Sequence, residues 1–211
     1  MKAIQTGDTI LFQGDSITDC GRRDPAGDGL GNGYVAMVSA FLQLHHPGLK
    51  LRIINRGISG DRTPELLARW QGDMADLRPQ VLSIKVGVND VWRLRGEWAG
   101  QKYVPLPEYE QNYRKLLEQA KASGVRQLVL MSPTTIEGEK DAELSRLLDE
   151  RMECVKRLAK EFGAIYVPTR ETQKEVLRTR PDVRWTSDGC HPTTAGHALL
   201  AATWLKAIAD C

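Results

Sequence analysis

Residues 9–18, Thr9-Ile10-Leu11-Phe12-Gln13-Gly14-Asp15-Ser16-Ile17-Thr18, set a short apolar run against a turn of small and polar residues. Thr9 to Phe12 reads as a β-strand, with Gly14-Asp15-Ser16 turning at its end. The same pairing recurs outward from there. Tyr34 to Leu44 carries apolar residues at helical spacing, and Leu51 to Ile54 is a second strand. Thr63-Pro64-Glu65 predicts a helix start with a capping hydroxyl and proline at the first helical position, running to about Leu77. Val81 to Val86 is a third strand. Pro107 to Ser123 is a helix closed by Gly124, and Leu128 to Met131, led in by Val125, is a fourth strand. A long amphipathic helix follows from Asp141 to Phe162, closed by Gly163. Ala164 to Val167 is a fifth strand, and Thr193 to Ala209 is a last helix with Pro192 near its start. Strands alternating with helices predict an α/β fold with a parallel sheet covered on both faces. The nearly continuous apolar character of the strands agrees. The longest irregular stretch is Asp90 to Pro105.

The bulk numbers narrow the function classes. The chain has 211 residues, which predicts one domain over residues 1–211. Its 29 basic and 27 acidic residues give a formal net charge of +2, without a block of like charge. Neither nucleic acid nor an anionic membrane surface is expected as a partner. No apolar run is long enough for a membrane span. The first residues, Met1 to Ile10, lack the apolar core of a secretory signal. Cys20, Cys154, Cys190 and Cys211 form neither a CxxC pair nor a metal-ligand spacing, so no metal is expected. Free thiols in the cytoplasm are the expectation.

In open parallel sheets, ligands bind beyond the carboxyl ends of the strands. Those ends carry Gly14-Asp15-Ser16-Ile17-Thr18, Asn55-Arg56-Gly57-Ile58-Ser59-Gly60-Asp61 and Gly87-Val88-Asn89-Asp90. Before the last helix stands Ser187-Asp188-Gly189-Cys190-His191-Pro192. A serine hydroxyl needs a base to take its proton, and the base needs an orienting acceptor. Of the four histidines, His45 and His46 end a helix and His197 lies inside one, which leaves His191. Asp188, three residues earlier, can reach back to the His191 ring. Acyl transfer also needs donors for the developing oxyanion. The backbone N–H groups of Ser16 and Gly60 and the side-chain amide of Asn89 are the candidates.

These segments resemble the sequence blocks of the SGNH or GDSL-like hydrolase family, in family order and across nearly the whole chain. The resemblance implies Ser16 as nucleophile, Asp188 and His191 completing a triad, and Gly60 and Asn89 in the oxyanion hole. It implies a three-layer α/β/α sandwich with a five-stranded parallel sheet in the order 2-1-3-4-5, like the flavodoxin arrangement. It also implies neither metal nor organic cofactor. Within the family, Gly14 to Arg22, Gly87 to Arg93 and Tyr109-Glu110 are most similar to small intracellular carbohydrate esterases that remove acetyl groups from xylan fragments.

Several alternatives compete with this reading. Gly31-x-Gly33-x-x-Ala36 fits a dinucleotide loop, but the strand before it ends too early and Asn55 stands where an acidic residue is needed. Cys190 beside His191 invites a cysteine nucleophile, yet adjacent residues point apart. Asp15, Trp92 and Trp185 are candidates for contact with substrate, Asp15 also serving to organise its loop. The aromatic residues, with Trp98 and Tyr103, could cover the faces of sugar rings or pack a core or a homo-oligomer interface. The expected partner is a small acyl ester such as an acetylated oligosaccharide. A short-chain acyl esterase or a lysophospholipase/thioesterase is the enzymatic alternative. A carbohydrate-binding protein on an inherited hydrolase fold is the other.

Overall fold

The computed structural model describes residues 3–92, 103–134 and 142–210. Trp98, Cys211, Asp141 and much of the stretch between Asp90 and Pro105 lie outside them. Five strands, β1 (Thr9–Gly14), β2 (Arg52–Asn55), β3 (Val81–Lys85), β4 (Gln127–Met131) and β5 (Ile165–Val167), form a sheet in the order β2-β1-β3-β4-β5. Every pairing is parallel. Phe12 sits opposite Asn55, Gly14 opposite Lys85 and Met131 opposite Val167. The segments expected at the strand ends therefore emerge along one edge of the sheet.

The pleat sends alternate side chains to opposite faces. Ile10, Phe12 and Val81 point to a core shared with α2 (Tyr34–His45) and α8 (Thr194–Ala209). Leu11, Leu82 and Ile84 point to a second core under α3 (Thr63–Leu77), α5 (Leu106–Ala122) and α6 (Ala142–Phe162). In the first core Phe12 lies 5.8 Å from Tyr34 and 5.3 Å from Trp204, ring centre to ring centre. Buried Ser83 faces the same way and accepts a hydrogen bond from Trp204 Nε1 at 3.1 Å, which satisfies both polar groups inside an apolar layer. Lys85, next in that alternation, reaches Asp15 instead.

Four short elements join the expected ones: α1 (Ser16–Asp19), a 3₁₀ turn (Pro47–Leu49), α4 (Val88–Trp92) and α7 (Thr169–Thr179). α4 occupies the start of the stretch expected to be irregular. In α7 the buried residues are Thr169, Arg170 and Gln173, so its inward face is polar and shows no apolar period. Thr63 is the first helical residue of α3 and does not cap it. Glu65 accepts from the Arg62 N–H at 3.1 Å, while the Thr63 N–H and hydroxyl both go to Asp90 Oδ1, at 3.1 and 2.6 Å. No described helix is long and apolar enough to cross a membrane.

Candidate active site

Ser16 opens α1 where β1 ends. Asp15 caps that helix by accepting from the Ile17 N–H at 3.0 Å, and Cys20 closes it in a left-handed conformation, φ 38°. Asp15 is fully buried and its Oδ1 lies 3.5 Å from the equally buried Lys85 Nζ. Its burial takes it out of the substrate-contacting set and leaves it the loop-organising role.

His191 and Asp188 belong to a tight loop before α8. Thr186 bridges Pro192, the Ser187 N–H donates to the His191 carbonyl at 2.8 Å, and the Gly189 N–H donates to Thr186 Oγ1 at 3.0 Å. The Asp188 carboxylate is triply engaged. Oδ1 accepts from the backbone N–H groups of Cys190 and His191 at 2.9 and 2.7 Å, and Oδ2 lies 2.6 Å from His191 Nδ1. Partial burial pushes its carboxyl up, but the His191 and Cys190 amides and the imidazole outweigh it, so the carboxyl lies below its ordinary value. An anionic acceptor at that distance puts the ring proton on Nδ1. The bare Nε2 then faces Ser16 Oγ at 3.0 Å. The structure thus brings Ser16, His191 and Asp188, distant along the chain, into one hydrogen-bonded line.

The segment after β2 packs against α1 and the end of β1. Gly57 lies so close to α1 that a Cβ there would fall 2.2 Å from the Asp19 nitrogen. Gly60 has φ 87°, which glycine adopts without strain, and the turn is pinned by the Asp61 N–H donating to the Ile58 carbonyl at 3.2 Å. Asp19 Oδ2 accepts from the Ser59 N–H at 3.1 Å, tying the loop to α1. Asn55 Nδ2 donates to the Thr18 and Leu30 carbonyls at 2.6 and 2.8 Å. Asn89 Nδ2 donates to the Asp61 carbonyl at 3.1 Å, tying the loop to the end of β3. Neighbouring Asp90 is fully buried, and burial pushes its carboxyl up to about 6 against the hydrogen bonds from Thr63.

A cleft of about 320 Å³ opens on Ser16 and is rimmed by Asp19, Arg23, Asp24 and Ser59. A larger cleft of about 800 Å³ lies elsewhere, against Gln127 at the amino end of β4, Tyr166 and Lys206. Trp92 and Trp185 are half-buried and line neither cleft. Trp185 Nε1 donates to the Arg180 carbonyl at 3.0 Å, and Trp92 packs against the core under α2 and α8. Tyr103 holds Arg151 through its ring and hydroxyl.

Two of the remaining histidines have partners away from Ser16. His45 packs in a tilted pair with Phe41, and buried His197 accepts from the Tyr34 N–H at 3.1 Å, burial pushing its pKa down to about 4. Cys190 is 4% exposed and burial pushes its thiol up to about 12, which makes it unreactive. Among the described residues no three His, Cys, Asp or Glu side chains converge as a metal site would require. Sequence reading missed Asp19 and Asp90 as parts of the site. Each stands beside or within a recognised segment, but its partner is identifiable only in three dimensions.

A model of the GDSL-like Lipase/Acylhydrolase family matches residues 12–199. Over 210 residues the chain is 40% identical to an acetylxylan esterase from Geobacillus stearothermophilus, covering 97% of this chain and 95% of that one. The crystal structure of Axe2, an acetylxylan esterase from the same organism, is similar with a TM-score of 0.89 and 40% identity, covering 98% of this chain and 96% of that one. Solved structures of Axe2 include catalytic mutants in which a serine, an aspartate or a histidine is replaced by alanine. LAE5, an alpha/beta hydrolase enzyme from the metagenome of Lake Arreo, Spain, is similar with a TM-score of 0.91 and 29% identity, covering 98% of this chain and 97% of that one.

Proposed function

The chain belongs to the GDSL-like lipase/acylhydrolase family, and from that premise we propose that it removes acetyl groups from acetylated xylo-oligosaccharides through an acyl-enzyme on Ser16. The observation that carries the reading is the line Ser16 Oγ, His191 Nε2, His191 Nδ1, Asp188 Oδ2, with 3.0 and 2.6 Å across its two gaps. Likeness to an acetylxylan esterase over nearly the full length of both chains supports the substrate.

In the first step His191 Nε2 takes the hydroxyl proton while Ser16 Oγ attacks the acetyl carbonyl. The carbonyl oxygen becomes an oxyanion, held by the N–H groups of Ser16 and Gly60 and by Asn89 Nδ2. As the first residue of α1, Ser16 has an N–H with no partner inside the helix. An amide nitrogen carries two protons, so Asn89 can hold the Asp61 carbonyl with one and the oxyanion with the other. The ester C–O bond then breaks, and the proton on Nε2 passes to the leaving sugar oxygen. Water attacks the acetyl-enzyme by the same path, and acetate leaves. Asn89→Ala is expected to lower kcat by about 10² to 10³ with little change in stability, measured on an aryl acetate. A merely slight loss removes Asn89 from the oxyanion hole.

The carboxylates and guanidinium at the rim of the cleft favour a short acyl group on a polar alcohol over a long acyl chain, which would bury them without partners. Cys20, Cys154 and Cys190 are free thiols, which suits a reducing compartment, and we place the reaction in the cytoplasm. A substrate panel tests the reading. Acetylated xylo-oligosaccharides should be turned over with a higher kcat/KM than aryl acetates, and aryl esters of eight or more carbons should be poor substrates. Preference for the long acyl chain would refute the assignment to sugar acetates.

A further inference from the structure

Arg69 stands outside the family blocks, in the second turn of α3, yet its guanidinium reaches the two segments that must act together. Nε donates to Asp61 Oδ2 at 2.7 Å, and Nη1 donates to Gln13 Oε1 at 2.8 Å and to the Asp73 carboxylate. Nη2 points to the Gly14 carbonyl at 3.4 Å. Gly14 is two residues before Ser16, and its carbonyl also accepts from the Ile58 N–H at 3.0 Å. Asp61 follows Gly60 directly, and its carbonyl is the one that holds Asn89 Nδ2. We propose that Arg69 is a positioning residue for ester hydrolysis, holding the oxyanion loop around Gly60 and Asn89 in register with the segment that carries Ser16. The proposal rests on the roles given above to Ser16, Gly60 and Asn89.

The electrostatics favour such a clamp over a surface ion pair. The Asp61 side chain is 9% exposed and that of Arg69 19%. Burial pushes the Asp61 carboxyl up, and the Arg69 hydrogen bond and charge oppose it. Without the guanidinium, the Asp61 carboxylate would be desolvated and unpaired. It would take up a proton or turn toward water, and its own backbone carries the Asn89 contact. A planar fork is required because its donors point in different directions within one plane, toward Asp61, Gln13 and Asp73, and Gly14. A lysine ammonium can keep one carboxylate but cannot span all of them. Gln13 Nε2 in turn donates to Asp73 Oδ2 at 2.9 Å, which closes the ring of contacts around the cation.

The test uses the full chain and an aryl acetate. In Arg69→Met, kcat should fall about 10- to 100-fold while KM moves less than about twofold, since displaced donors fail chiefly in the transition state. Arg69→Lys should recover part of the loss. Asp61→Asn keeps the carbonyl for Asn89 and removes the charge, and it should fall in the same range. The double variant should lose little more than either single one, because the two side chains act as a unit. Affinity for an arylboronic acid, which forms a tetrahedral anion on Ser16, should fall in parallel with kcat/KM. A folded Arg69→Met enzyme with unchanged kcat, or with a loss confined to KM, overturns the proposal. If Arg69→Met does not fold, unchanged kcat in both Arg69→Lys and Asp61→Asn overturns it as well. Residual turnover in Ser16→Ala is a separate failure: it would remove the esterase mechanism and leave the Arg69 contacts as architecture.

Discussion

Ser16→Ala is expected to lower ester turnover by about 10⁶ in kcat, the scale on which losing a serine nucleophile stops acyl-enzyme formation. Among the described cysteines, neither of those near the site is placed to take its place. The Cys190 thiol is buried and held protonated, and Cys20 Sγ lies 3.4 Å from His197 Nε2, not against His191. What remains should be slow attack by a water for which His191 acts as base. Stability should hardly change. Asp15, not Ser16, caps α1, and the Ser16 hydroxyl makes one hydrogen bond, worth about 1 kcal/mol net. Steady-state rates on an aryl acetate and a thermal melt of the same preparation check both halves. A variant that melts normally yet keeps more than about a hundredth of the activity would mean that Ser16 is not the nucleophile, since even the most rate-tolerant triad losses exceed that.

The fold and the candidate site were legible to different degrees, for physical reasons. Strands covered on both faces are largely apolar, so Ile10 to Phe12 and, despite Ser83 and Lys85, Val81 to Val86 stand out. Small and polar residues at their carboxyl ends then marked where chemistry would gather. α7 was illegible because its buried face is made of Thr169, Arg170 and Gln173, which leaves no hydrophobic period to detect. Thr63 looked like a cap because its hydroxyl has the right chemistry. Its actual partner, Asp90, is 27 residues away and could not be inferred from local spacing. Arg69 is the clearest case. On a helix pattern it reads as one more polar-face residue, and only the fold reveals that its guanidinium faces Gln13, Gly14 and Asp61. Asp188 and His191 could be paired from sequence because a spacing of three residues in a turn lets the carboxylate reach back to the ring, and the contact is present at 2.6 Å. The approach of Ser16 to His191 could only be expected from the strand-end rule.

Asp188→Asn should lower kcat by about 10⁴ while leaving the loop folded, because the structure fixes which way the new amide must face. The backbone N–H groups of Cys190 and His191 both point at Asp188 Oδ1 and require an acceptor there. The asparagine oxygen must therefore take that position, which turns its NH₂ toward His191 Nδ1. A donor facing Nδ1 makes that nitrogen the acceptor and moves the ring proton to Nε2. Nε2 then meets Ser16 Oγ with a proton instead of a lone pair and cannot act as base. Asp188→Ala imposes no such tautomer. The side chains of His191 and Asp188 are 48% and 51% exposed, so water can enter the vacated space and hydrogen-bond to Nδ1. The alanine variant should therefore keep more activity than the asparagine variant, although it is the larger deletion. Steady-state rates on the two variants, with thermal melts as controls, decide the matter. If alanine is the more damaging change, the carboxylate matters chiefly through its charge or by bracing the loop, and control of the tautomer is not its main contribution.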